Sequence, residues 1–390
     1  MKRRHIVLIN MIFLGLMLFS AATVYQFMTG IKPLDALKRF GHHSKTEVVT
    51  TDNCSTQKPL DLKGAKAAPL VKLGVYQQAC HSYVTGTVMV FVSMPTTADE
   101  AVSYAKEDAA MLQDFSKHGV RPLVIAEPTD KEGTQIDFAL TANGAYNSAY
   151  AAYFQALKSN GITDSQLGIW TPFPEANLPY WKNNEPQYFA PSVNNYVAAL
   201  RAAFPTAQTS VMLNSATYST SDFNWENGDY SSLLPYVKGI TPGSINYAGL
   251  QGFPWMSRAG GSGAILNAAE FLNPEILTEM ADSLGTKKVW FNTGSFASKY
   301  TLDPEATVTM TPERRKAVLA TVATQAEILK NKGYDISVNI FAQDKSKASE
   351  ETNWSYWSNN NPFGSKDAPV ITEFISDLNS KNIPFWVFDR

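Results

Sequence analysis

From Leu73 onward the chain repeats one pattern: a short apolar run, then a longer stretch with apolar positions at helical spacing. The short runs are Leu73–Tyr76, Val88–Ser93, Pro122–Ala126, Leu167–Thr171, Ser210–Leu213, Ile245–Gln251, Lys288–Asn292, Ile336–Ala342 and Pro384–Phe388. Between them, Tyr146, Tyr150, Tyr153, Phe154 and Leu157 share one helical face, and Gly161 lies just past its end. Start signals agree with this division. Thr97-Ala-Asp-Glu100 is a capping box, Asn273-Pro274-Glu275 puts Asn at a cap and Pro in the first turn, and Thr311-Pro312-Glu313 opens a further helix. Strands that alternate with helices pair in parallel. Eight such units in about 300 residues predict an α/β fold, a (β/α)8 TIM barrel over residues 69–390. A doubly wound open sheet is the alternative, but the Gly-rich phosphate fingerprint it often carries is absent. Nine runs are one too many, so either Leu73–Tyr76 or Phe385–Phe388 is expected outside the regular barrel.

The N-terminus breaks the pattern. Lys2, Arg3, Arg4 and His5 precede an apolar run from Ile6 to Val24, about 19 residues against the ~20 that span a bilayer. Residues 1–29 are therefore expected to be a signal anchor, an N-terminal transmembrane helix; a signal peptide cut near Ser20-Ala21-Ala22 is the alternative. The basic flank would stay in the cytoplasm, with the rest of the chain outside: single-pass at the cell membrane, otherwise secreted. Residues 30–68 are polar and read as a flexible linker. A formal charge of −2 argues against a nucleic-acid partner. The two cysteines, Cys54 and Cys80, suit an oxidising compartment and are expected to form a disulfide. It would close a loop of about 25 residues, worth roughly 3 kcal/mol; two thiols are the alternative. Five histidines, none in ligand spacing with a thiol or carboxylate, suggest no metal site, and no cofactor is expected.

Candidate chemistry gathers where barrel active sites lie, at the C-terminal strand ends. Leu167–Trp181 is the densest stretch: Glu175 and Asn177 stand among Trp170, Phe173, Tyr180 and Trp181, in a loop stiffened by Pro172, Pro174 and Pro179. Other strand ends supply Glu127, Asn214, Tyr247, Gln251, Phe253, Trp255, Asn292, Gln343, Asp344 and Trp354. Aromatic faces stack on sugar rings, while amides and carboxylates bond their hydroxyls, so this mixture predicts a polysaccharide or oligosaccharide as partner. No Ser-His-Asp arrangement is visible. Bland readings stand beside these: Glu127 as a supporting carboxylate, Asp344 in a salt bridge with Lys345 or Lys347, and the tryptophans as barrel packing.

Several motifs resemble glycoside hydrolase family 26, the β-mannanase-type barrels. Glu127-Pro128 ends a strand as that family's third strand does, and Gly144-Ala145-Tyr146 is similar to the start of the helix after it. Pro174-Glu175-Ala176-Asn177, followed by Trp181, resembles the family's His-Glu-x-Asn motif. Ile245–Gly249 and Val289–Gly294 resemble its sixth and seventh strands. The resemblance implies that Glu175 is the general acid/base. It also exposes two departures. Pro174 stands where the family has His, and Asn292 stands where it has the nucleophilic Glu. A retaining enzyme needs two carboxylates about 5–5.5 Å apart, and an inverting one about 6.5–9.5 Å. The expectation is an extracytoplasmic glycoside hydrolase-like protein acting on a β-linked polysaccharide of mannan or glucan type. In it Glu127 or Asp344 supplies the second carboxylate by activating water. A non-catalytic glycan-binding barrel and a cell-surface scaffold are the alternatives.

Overall fold

The structure, a computed structural model, describes residues 70–72, 82–84, 87–117, 121–178, 181–215, 233–252, 255–256, 264–265, 272–293, 299–303, 306–309, 312–341 and 368–388. The expected anchor (1–29), the linker (30–68), Leu73–Tyr76, Cys54 and Cys80 lie outside the described residues. Among the described residues, no helix is long and apolar enough to cross a membrane. The chain divides into two units, Met1–Val48 with Lys131–Thr134 and Val49–Asp130 with Gln135–Arg390. The second unit contains the barrel.

Eight strands close that barrel: β1 (Thr87–Ser93), β2 (Arg121–Glu127), β3 (Ile169–Pro172), β4 (Gln208–Asn214), β5 (Tyr247–Gln251), β6 (Lys288–Thr293), β7 (Asp335–Phe341) and β8 (Phe385–Phe388). Every neighbouring pair is parallel, and β8 closes the ring on β1 through Val387–Val88 and Phe388–Met89. Phe385–Phe388 is therefore the eighth strand. At the N-terminal side, Leu70–Lys72 pairs antiparallel with Ser82–Val84 in a separate two-stranded sheet.

Helices supply the crossovers. The described ones are α1 (Ala98–Lys117), α2 (Phe138–Ala142), α3 (Asn147–Ser159), α4 (Asp164–Leu167), α5 (Pro186–Ala203), α6 (Leu234–Val237), α7 (Pro274–Leu284), α8 (Pro312–Asn331) and α9 (Ala368–Ser380). Their caps follow the sequence signals. Glu100 Oε2 accepts from Thr96 N at 2.8 Å and Thr97 N at 3.1 Å, while Thr97 Oγ1 accepts from Glu100 N at 3.3 Å. Asn273 Oδ1 accepts from Glu275 N at 2.7 Å at the start of α7, and Gly285 ends that helix at φ 70°, a left-handed value that suits glycine.

Alternation along each strand sorts two cores. Val124, Ala126, Trp170, Val211, Leu213, Ala248, Leu250, Val289 and Phe291 point out to the helices. Met89, Leu123, Ile125, Ile169, Met212, Tyr247 and Trp290 point in and fill the barrel. Trp290 is fully buried there, and its indole N–H donates to Ser210 Oγ at 2.9 Å. Gly249 makes room for it: a Cβ at that position would lie 2.4 Å from the indole. We expect Gly249→Ala to force the indole off its rotamer and to cost about 1–3 kcal/mol. Urea unfolding reads this directly, and a midpoint equal to wild type would mean the filling is not tightly packed. These apolar side chains fill the interior of the barrel beneath the C-terminal strand ends.

Candidate functional site

The loop after β3 sets the site. Phe173 and Glu175 both have positive φ, 51° and 53°, a conformation that costs non-glycine residues on the order of 1–3 kcal/mol and persists only where surroundings enforce it. Here both neighbouring strands do. Phe173 N donates to Ala126 O of β2 at 3.1 Å, and Glu175 N donates to Met212 O of β4 at 3.0 Å. Phe173 shares the inward parity of Ile169 and Thr171, yet it turns outward. It packs against Phe138 and Tyr196 at ring distances of 5.0 and 5.8 Å. That leaves Glu175 to reach the amides at the strand ends.

There its Oε1 accepts two hydrogen bonds, from Asn214 Nδ2 and from Gln251 Nε2. Behind Gln251 the amides continue. Asn292 Nδ2 donates to Gln251 Oε1 at 2.5 Å, and Asn339 Nδ2 donates to Asn292 Oδ1 at 2.7 Å. Asn177 pairs with the backbone of Asn214, accepting from its N at 2.9 Å and donating to its O at 2.7 Å. One carboxylate is thus held by side chains from β4 and β5 and backed by others from β6 and β7. Glu175 itself is half-buried. Glu127 ends β2 on the inward parity of Leu123 and Ile125, also half-buried.

A second set of contacts clamps the loop from outside. Asp137 caps α2 through Ala139 N and Leu140 N, at 2.9 and 3.2 Å. It also takes Asn183 Nδ2 on both oxygens at 2.9 Å and Lys182 Nζ at 3.0 Å. Asn184 Nδ2 donates to Ala176 O and Leu178 O, at 2.5 and 2.6 Å. Burial works to raise the Asp137 carboxyl, but donation from Asn183, Lys182 and Leu140 outweighs it and holds the group below the usual carboxylate range. A folded-state value below the unfolded one means stability that is present above the ordinary carboxylate range and lost as pH falls through the folded value. We therefore expect Asp137→Ala to cost about 1–2 kcal/mol at neutral pH and clearly less near pH 3, by urea unfolding at both pH values. An equal penalty at both would remove the charge from the clamp.

The structure brings Glu175, Asn177, Asn214, Gln251 and Asn292 together. It does not place every predicted residue with them. Trp170 is 0% exposed and faces the helices, edge-on to Tyr153 and Phe154, with its N–H donated to Leu167 O at 3.0 Å. Alternation puts it on the opposite face of β3 from the barrel interior. Trp181 is buried in the same outer core. Tyr247 opens β5 and so sits at the N-terminal end of the barrel, with Lys288 Nζ and Arg121 Cζ at 5.2 and 5.9 Å from its ring centre. These three are structural aromatics rather than sugar platforms. Asn292 is 1% exposed, a link in the amide chain rather than a lining residue. Tyr180, Phe253, Gln343, Asp344 and Trp354 lie outside the described residues, as does the side chain of Trp255.

Asn339 was not singled out by the sequence pattern. Its signal was a polar residue alternating with Ser337 inside an otherwise apolar strand, in direct register with Asn292. Among the described residues, no group of three or more His, Cys, Asp or Glu could hold a metal ion.

No family model matches the chain, and no curated protein matches it in sequence. Solved structures similar to it include β-glucosidases and a β-1,4-galactanase. It is similar to a family 1 β-glucosidase from Thermotoga maritima in complex with isofagomine lactam, with 12% identity, 77% of this chain and 83% of that one covered, and a TM-score of 0.46. A fungal β-1,4-galactanase gives 14% identity, 74% and 88% coverage, and a TM-score of 0.46. The Thermotoga maritima β-glucosidase in complex with deoxynojirimycin gives 12% identity, 76% and 83% coverage, and 0.44. Likeness at this level does not extend to substrate or site residues.

Proposed function

We propose that the C-terminal mouth of the barrel is a carbohydrate site of the glycoside hydrolase type, acting on a β-linked polysaccharide with Glu175 as general acid/base. The observation that carries this is the carboxylate itself. It projects from a loop of positive-φ residues and is held by amides from two further strands. Amides and a carboxylate at a barrel mouth match a ligand whose functional groups are hydroxyls. The resemblance of Pro174–Asn177 to the family 26 motif adds the proton-donor role.

The second carboxylate cannot come from position 292. An amide forms no glycosyl-enzyme intermediate, so cleavage here follows the single-displacement route. Glu175 protonates the leaving oxygen, and Glu127 on the adjacent strand, or Asp344, activates water. A second reading, binding without cleavage, is favoured by one fact: both amide atoms of Asn292 are engaged and the residue is buried. The location outside the cytoplasm, read from the N-terminal segment, belongs to the same proposal.

Release of reducing ends from mannans, glucans and xylans is the test, with gel-shift binding on the same glycans. Release supports the hydrolase. Binding without release supports the second reading. Neither would sink the carbohydrate proposal and leave the barrel as a scaffold.

A further inference from the structure

An amide side chain has a donor end and an acceptor end. Glu175 Oε1 is an acceptor here, and that fixes the sense of every link behind it. Gln251 turns its Nε2 toward Glu175, which leaves its Oε1 facing β6. Asn292 meets that oxygen with Nδ2, and its own Oδ1 accepts from Asn339 Nδ2. Three amides run head to tail across three neighbouring strands, each with its N–H end toward the carboxylate. Backbone register builds this in: Gln251 is the direct partner of Asn292, and Asn292 of Asn339. Asn292 and Asn339 are 1% and 0% exposed, so bulk water does not compete for either link. In such surroundings hydrogen bonds in a chain strengthen one another.

We propose that Asn292 is a positioning residue, whose amide, backed by Asn339, holds Gln251 in the one orientation that donates to Glu175. This rests on the reading of Glu175 as the general acid/base and deepens it. Position 292 then calls for an amide, and a carboxylate there would reverse the Gln251 side chain. In an Asn292→Asp variant, two acceptors would face each other at Gln251 Oε1. Gln251 would turn its Nε2 toward the introduced carboxylate and present its oxygen to Glu175, which could meet it only by holding a proton. Of the strands whose ends surround Glu175, β2 brings one titratable group to that end, Glu127. β4 has none, and Tyr247 of β5 and Lys288 of β6 stand at the opposite end.

The test is a carboxyl-carbon NMR titration of Glu175 in the full chain. Wild type, Asn292→Asp, Gln251→Leu and the double variant are compared. Asn292→Asp is expected to raise the Glu175 midpoint by about one pH unit or more, tenfold in proton affinity. In the Gln251→Leu background the same change should move it by less than about half as much, because the linking amide is gone. Equal shifts in both backgrounds would mean a direct charge effect and would overturn the proposal, as would no shift in either. Should the Asn292→Asp variant fail to fold, the near-isosteric and uncharged Asn292→Leu replaces it. Its midpoint should rise with Gln251 present and stay put with Gln251 removed; any other pattern overturns the proposal. The titration uses no glycan. Its failure would leave the carbohydrate reading standing, and a failure of the glycan assays would leave the relay standing.

Discussion

Glu175→Gln should abolish glycan cleavage and leave the fold intact, while Glu175→Ala should damage both. The Gln side chain keeps an oxygen where Asn214 and Gln251 donate, so its stability should stay within about 0.5 kcal/mol of wild type. It cannot pass a proton, and the rate should fall on the order of 100- to 10,000-fold. Ala removes the acceptor altogether. Asn214 and Gln251 are 6% and 8% exposed, and their donors would be left without Glu175 in a partly dehydrated place. A buried donor without an acceptor costs about 1–3 kcal/mol. Reducing-end assays and urea unfolding on the same three proteins separate the two effects. A Gln variant with full turnover would remove Glu175 from the chemistry. An Ala variant as stable as wild type would mean the amides do not depend on it. The stability contrast is expected even if the wild-type barrel binds glycan without cutting it.

The fold was legible because its signals are local. Capping residues at Thr97 and Asn273 and the alternation of short apolar runs with helical stretches depend on neighbours in sequence; the two residues appear as caps, and eight of the nine runs appear as barrel strands. The choice between Leu73–Tyr76 and Phe385–Phe388 was not local. It depends on whether β8 reaches β1, nearly 300 residues away in the chain, and only the closed ring decides it. The amides at strand ends were legible for the same reason as the strands. Asn214, Gln251 and Asn292 each close an apolar run. Asn339 was hidden because it lies within one. What the residues do for each other was not legible. Head-to-tail polarity needs the register of β5, β6 and β7, and the aim of Glu175 needs the positive φ at Phe173, which no residue type announces.

Trp170 puts the limit of the sequence pattern to a test. Parallel barrel strands are buried on both faces and read as continuous apolar runs, so alternation alone does not say which parity points inward. An aromatic five residues before Glu175 thus looked like a sugar platform, whereas it packs against α3 from the far face of β3. We expect Trp170→Ala to cost about 3–5 kcal/mol, the range for deleting a fully buried large aromatic, against a total of about 5–15 kcal/mol for a domain. Trp170→Phe should keep ring packing near Phe154 and lose the indole bond to Leu167 O, for a smaller loss. Glycan affinity, measured on the folded fraction of either variant, should match wild type, because no atom of the indole is exposed to the mouth. Urea midpoints alongside glycan titration distinguish the outcomes. A variant of wild-type stability with weakened glycan binding would return Trp170 to the sugar face and reverse the inward parity of β3. A destabilised variant that still binds would assign the carbohydrate contacts to the amide cluster and to residues of the loops above it.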